Sequence, residues 1–105
     1  MKYYLYIIKT VDNTLYCGIA TDVLRRFNEH LLSKKGAKYT KIHKPKEIVY
    51  VEEFEDKSSA SKEEYRIKKT LKRAEKLELI EANKEKTEKF LKIFHETLDK
   101  HGLKW

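Results

Sequence analysis

The chain has one cysteine, one proline and three glycines among its 105 residues. The lone Cys17 rules out an intramolecular disulfide and leaves a Cys/His metal cluster without its thiolates. Long apolar runs are absent as well. The longest near the N-terminus, Tyr3 to Ile8, is too short for the core of a signal peptide and falls far below the ~20 residues of a membrane span. Repeats and flexible linkers are also missing. These absences imply one soluble, cytoplasmic domain with no membrane association and a single modest core.

Charge is what the chain has in quantity. Lysine and arginine number 24 against 17 acidic residues, a net charge of +7. Such an excess favours polyanionic partners, either nucleic acid or an anionic membrane surface. A soluble protein that is simply basic is the plain alternative, and composition leaves it open.

Patterning gives the architecture. Tyr3 to Ile8 (YYLYII) is aromatic and β-branched, as a strand buried on both faces should be. Asp12-Asn13 supplies turn chemistry, and Leu15 to Ala20 returns as the second strand of a hairpin. Thr21 or Asp22 can cap a helix from Val23 to about Leu32, with Val23, Leu24, Phe27 and Leu31 on its apolar face. Lys34 to Pro45 reads as a basic loop and Glu47 to Phe54 as a third strand. Ser58 or Ser59 can cap a helix from Ala60 to about Leu71, and another helix runs from Arg73 to Asn83. From Lys84 onward Phe90, Leu91, Phe94 and Leu98 form a helical stripe. The expected fold is α+β, a small three-stranded antiparallel sheet flanked by helices. Residues 1–83 would form the domain. Residues 84–105 would add a C-terminal helix, packed on that domain or on a second copy of the chain.

Several polar residues sit where packing alone would not put them. Glu64 shares a helical side with Ala60, Ile67 and Leu71, while Glu63 is expected to point away. A carboxylate on such a stripe needs a cation, or a buried tyrosine or arginine, as partner. Arg26 and His30 lie one turn apart and flank the Val23/Phe27/Leu31 stripe, with Arg25 and Glu29 facing outward. At a rim, an arginine suits phosphate and a histidine can carry protons near neutral pH; ordinary solvated side chains fit the same pattern. Tyr4 and Tyr6 share a strand face, where tyrosines usually pack. Gly18 within a strand implies the close approach of another backbone or a ligand. The basic loop, with Lys35, Lys38, Tyr39 and Lys41, suits phosphate contact and base stacking, or is merely solvated.

Together these residues resemble the GIY-YIG nuclease superfamily, in particular its small single-domain group of uncharacterised bacterial proteins. Tyr4-Leu5-Tyr6 corresponds to the first motif and Tyr16-Cys17-Gly18 to the second. Arg26 takes the place of the family's arginine, His30 follows one turn later, and Glu64 precedes Ile67-Lys68-Lys69. Tyr4 replaces the glycine of the first motif, and Ile19 stands where some DNA-repair members carry lysine. The likeness covers about residues 2 to 82.

The resemblance implies a metal-dependent endonuclease that hydrolyses phosphodiester bonds, with DNA the expected substrate. It makes Tyr6, Tyr16, Arg26, His30 and Glu64 the catalytic set. Glu64 would hold a single Mg²⁺ or Mn²⁺, and Tyr16 would be the general base, with Tyr6 hydrogen-bonded near it. Gly18, Lys35, Lys38, Tyr39 and Lys41 would meet the nucleic acid. Two other readings stay open: a nucleic-acid binding module without useful catalysis, and an interaction protein acting through its C-terminal helix, as a homodimer for example.

Overall fold

The structure, a computed structural model, describes residues 1–32 and 42–100, with side chains as far as Thr97. Most of the basic loop, with Lys35, Lys38, Tyr39 and Lys41, lies outside the described residues, as does the side chain of Leu98. In order come β1 (Tyr3–Thr10), β2 (Leu15–Ala20), α1 (Val23–Leu32), β3 (Pro45–Phe54), α2 (Lys57–Thr70), α3 (Arg73–Ala82) and α4 (Lys84–Lys100). The three strands form one antiparallel sheet in the order β2-β1-β3, the α+β architecture expected.

β1 is central, paired with β2 on one side and β3 on the other, and its apolar side chains go to both faces. Leu5 and Ile7 point to one side, where they meet Cys17, Tyr50 and Ile67, with Leu79 and Ile80 of α3 around them. Tyr6 and Ile8 point to the other, into a cluster with Val23 and Val51 that Phe27, Phe90, Leu91 and Phe94 surround. Helices α2 and α3 thus cover one face, and α1 and α4 the other. The hairpin turns at Asn13, whose φ of 65° is left-handed, a conformation asparagine tolerates. Buried Thr10 braces the turn, its hydroxyl 2.6 Å from that of Thr14 and 2.5 Å from Asp12 Oδ1.

Several boundaries shift for identifiable reasons. β3 starts at Pro45, not Glu47, since Pro45 pairs with Thr10 at the first position of a strand, where a missing N–H costs little. Asp56, rather than Ser58 or Ser59, caps α2 by accepting the Ser59 N–H at 2.8 Å. Asp22 caps α1, accepting the Arg25 N–H at 3.1 Å. On α1 the buried positions are Val23, Leu24 and His30, while Leu31 is exposed. The histidine takes the inward place expected of the leucine.

Helix α4 packs on its own domain. The Tyr4 ring meets Phe90 and Phe94 edge-on, at centroid distances of 5.9 and 5.1 Å. These aromatic residues are therefore not left for a second copy to cover. The helix also protects the outer edge of β3, an edge that would otherwise offer unpaired amides to another strand. Buried Thr87 Oγ1 accepts the Val51 N–H at 3.1 Å. Among the described residues no helix is long and apolar enough to cross a membrane.

Thr87→Val keeps the shape of the side chain and orphans the Val51 amide. Chemical denaturation should show a loss of about 1–3 kcal/mol, the cost of a buried unsatisfied donor. Thr87→Ser should lose clearly less. Equal losses in the two variants would assign the effect to packing rather than to the hydrogen bond.

Candidate active site

The site is built from β1, β2, α1 and α2, and it begins with a glycine. Tyr6 lies directly across the ladder from Gly18. A Cβ at Gly18 would stand 2.5 Å from Tyr6 Oη, 2.8 Å from Tyr6 Cζ and 3.3 Å from Tyr16 Cε2. No side chain fits there, so the Tyr6 phenol can lie flat against β2. The close approach expected at Gly18 is made by two tyrosine rings of the chain itself.

Lying there, Tyr6 reaches α1. Its hydroxyl is 2.9 Å from His30 Nε2 in a buried hydrogen bond, and His30 itself is fully buried. Tyr16 packs edge-on against the same imidazole, with centroids 5.1 Å apart. Both tyrosines therefore gather on one histidine. Burial shifts the two hydrogen-bonded groups in opposite directions. His30 is lowered to about 4, first by burial and then by the neighbouring Arg26 charge. Tyr6 is raised well above the ordinary phenol range, by burial and then by Tyr16, with Arg26 pulling it back. At pH 7 the pair is a neutral imidazole and a protonated phenol.

This corrects the expectation for His30. It does not sit at a solvated rim, and its imidazole does not titrate near neutral pH. Arg26 does lie at a rim: its side chain is 29% exposed, and its Nη1 is 3.0 Å from Glu29 Oε1. Glu29 therefore turns toward the site rather than outward, drawn by that guanidinium. Arg25 is the exposed member of the two arginines, as expected.

Glu64 arrives from the opposite face of the sheet. On α2, Ala60 and Ile67 are the buried residues, and the two glutamates flank them to either side. Glu64 and Glu63 are equally exposed, at 23% each, so the expectation that Glu63 points away does not hold. Glu63 is held by Arg66 at 2.7 and 2.8 Å, and that guanidinium keeps its carboxyl below the usual range. Glu64 pairs with Lys68 at 3.2 Å, and the Lys68 ammonium lies 5.6 Å from the centre of the Tyr16 ring. One lysine thus bridges carboxylate and tyrosine around the edge of β2. Sequence reading named Lys68 only in the family-like run after Glu64 and set Glu29 outward, although spacings of four and three residues are those of helical ion pairs.

Two cavities flank this edge. One, about 250 Å³, is lined by Ile7, Leu15, Tyr16, Cys17, Lys68 and Lys76. The other, about 260 Å³, includes Ile19, Asp22, Arg25, Arg26 and Glu29. Burial pushes the Cys17 thiol up to about 12, so it carries no thiolate at neutral pH. Among the described residues no three His, Cys, Asp or Glu side chains gather as a cation cage. A cation at Glu64 would keep most of its water, the sparse carboxylate coordination that Mg²⁺ accepts.

Residues 2–78 match the GIY-YIG catalytic domain. The chain belongs to this family. It is 49% identical over 79 residues to the UPF0213 protein SSP2268 of Staphylococcus saprophyticus, covering 75% of this chain and 94% of that one. A second UPF0213 protein, DP2720 of Desulfotalea psychrophila, is 48% identical over 66 residues, 63% of this chain and 60% of its relative. The solution NMR structure of the UPF0213 protein BH0048 from Bacillus halodurans superposes with a TM-score of 0.52 at 38% identity. That match spans 80% of this chain and 87% of that one. The family match ends just short of the last turn of α3, so α4 lies outside it.

The buried histidine makes stability depend on pH. Its folded pKa of about 4 lies below the unfolded value near 6.5, so the unfolded chain binds the proton first. The stability associated with burying neutral His30 is whole above pH ~6.5 and is lost as pH falls toward 4, by at most about 1.4 kcal/mol per pH unit. Melting temperatures of wild type and His30→Gln between these limits should converge as the pH drops. Parallel curves would mean that His30 takes up its proton as readily in the fold as in the unfolded chain.

Proposed function

We propose that the chain is a nucleic-acid endonuclease that hydrolyses phosphodiester bonds, with DNA as substrate and Mg²⁺ or Mn²⁺ as cofactor. The observation that supports this best is the continuous chain of contacts Tyr6–His30–Tyr16–Lys68–Glu64 at one sheet edge, with Arg26 beside it. Glu64 would hold the cation, which when bound supplies Lewis-acid stabilisation of the scissile phosphate.

The remaining work falls to the chain's own groups. Tyr16 takes the proton of the attacking water. It is the tyrosine that lines an open cavity, whereas Tyr6 is buried and kept protonated. Arg26 presents a partly exposed guanidinium, placed to stabilise the negative charge that grows on the phosphate oxygens. His30, neutral and buried, is a positioning residue that fixes Tyr6 and the Tyr16 ring. The net charge of +7 favours a polyanionic substrate.

Nicking of supercoiled, single-stranded and branched DNA, with and without Mg²⁺ or Mn²⁺, tests the reading. Wild type should cleave only with the cation. Glu64→Ala should abolish cleavage and leave a folded protein. Glu63→Ala should cleave normally and lose only the ~0–1 kcal/mol of a surface ion pair. Tyr16→Phe, which removes a hydroxyl and keeps the ring, should slow cleavage about 10² to 10⁴-fold with little loss of binding. Tight DNA binding by wild type without cleavage under any cation would instead make the chain a binding module.

A further inference from the structure

Helix α3 is turned the wrong way at one position. Its core-facing residues are Leu79 and Ile80, which pack under Leu5 and Ile7. Lys76 lies one turn before them on the same side and is half-buried, whereas its neighbour Leu77 is 43% exposed. A helix choosing positions by hydrophobicity alone would place these two residues the other way round. Among the described residues no carboxylate pairs with Lys76.

What Lys76 faces is the 250 Å³ cavity against β2. Its other walls are Ile7, Leu15, Tyr16, Cys17 and Lys68. Two lysine side chains therefore line a recess with apolar walls and no lining carboxylate, and of the two Lys68 has an acidic partner, Glu64. Lys69, Lys72 and Arg73 at the α2–α3 junction add further exposed positive charge alongside. Because Tyr16 forms one wall, an anion in the recess lies next to the proposed general base without displacing it.

We propose that Lys76, with Lys68, forms a subsite for a backbone phosphate of the bound nucleic-acid strand, neighbouring the phosphate that is cut. The inference rests on the nucleic-acid reading above and adds to it a place and a direction. The strand crosses the edge of β2 from the Arg26 cavity to the Lys76 cavity, and the scissile phosphate lies between them. Lys76 makes no contact with the reacting atoms, so its role is to bind and align.

The test is binding of a labelled DNA oligonucleotide to the full chain without divalent cation, followed as a function of salt. Lys76→Met, which keeps the length and helix preference of the side chain, should reduce the slope of log affinity against log salt by about 0.7 to 0.9, one phosphate contact. Lys76→Gln should do the same and covers the case of a poorly folded methionine variant. Lys76→Arg should retain the slope. Lys92→Met on α4, an equal loss of net charge at an exposed site, should change it far less. In the cleavage assay Lys76→Met should raise KM and leave kcat near wild type. Wild-type binding with an unchanged slope in Lys76→Met and Lys76→Gln would overturn the subsite alone. So would an equal loss in Lys92→Met, or binding of millimolar inorganic phosphate at Lys76 with the oligonucleotide slope unaffected. Absence of any oligonucleotide binding by wild type would overturn both the subsite and the reading beneath it.

Discussion

The packing of the Tyr6 phenol over Gly18, with its hydroxyl on buried His30, is the contact on which the rest of the site depends. It joins the central strand, the edge strand and α1 in one place. A methyl at Gly18 would occupy the space of that hydroxyl, and overpacking of this kind typically costs about 1–3 kcal/mol. A histidine charged at neutral pH would not tolerate burial in this cluster; a neutral one serves as polar partner to the one hydroxyl that needs it. Fixing that pair also fixes Tyr16, whose ring leans on the same imidazole while its edge faces open space.

The two faces of the sheet carry different kinds of groups to this edge. The α1 face brings the aromatic and imidazole groups and the Arg26–Glu29 pair. The α2 face brings Glu64, Lys68 and, from α3, Lys76. They meet because β2 is an edge strand, with no further strand beside it among the described residues. The opposite edge, on β3, is closed by Thr87 and α4. One edge is thus sealed for stability and the other left for chemistry.

Much of this was legible in the sequence. The β1 run Tyr3 to Ile8 has apolar side chains at odd and even positions alike, and its aromatic and β-branched residues suit a strand covered on both sides. The Asp12-Asn13 turn and the α1 limits followed from local chemistry, because caps and left-handed residues act within a few positions. Periodicity failed where a polar residue gains a tertiary partner. His30 displaced Leu31 from the core because Tyr6 offers it a hydrogen bond, and no helical wheel contains Tyr6. Glu63 was assigned outward because two adjacent glutamates cannot share one direction, yet both can flank a narrow stripe such as Ala60/Ile67. Lys76 passed unnoticed although Leu79 and Ile80 mark its side of α3 as inward. Only the fold reveals the recess it faces.

The central claim is that Tyr16 and Glu64, on opposite faces of the sheet, act as one site around its edge. A double-mutant cycle on single-turnover DNA cleavage with Mn²⁺ tests it most directly, comparing Tyr16→Phe, Glu64→Gln and the double variant. Groups that act as a unit are strongly non-additive, so the double variant should be no slower than the slower single one. Losses that multiply in the double variant would show two groups acting independently and would contradict the claim.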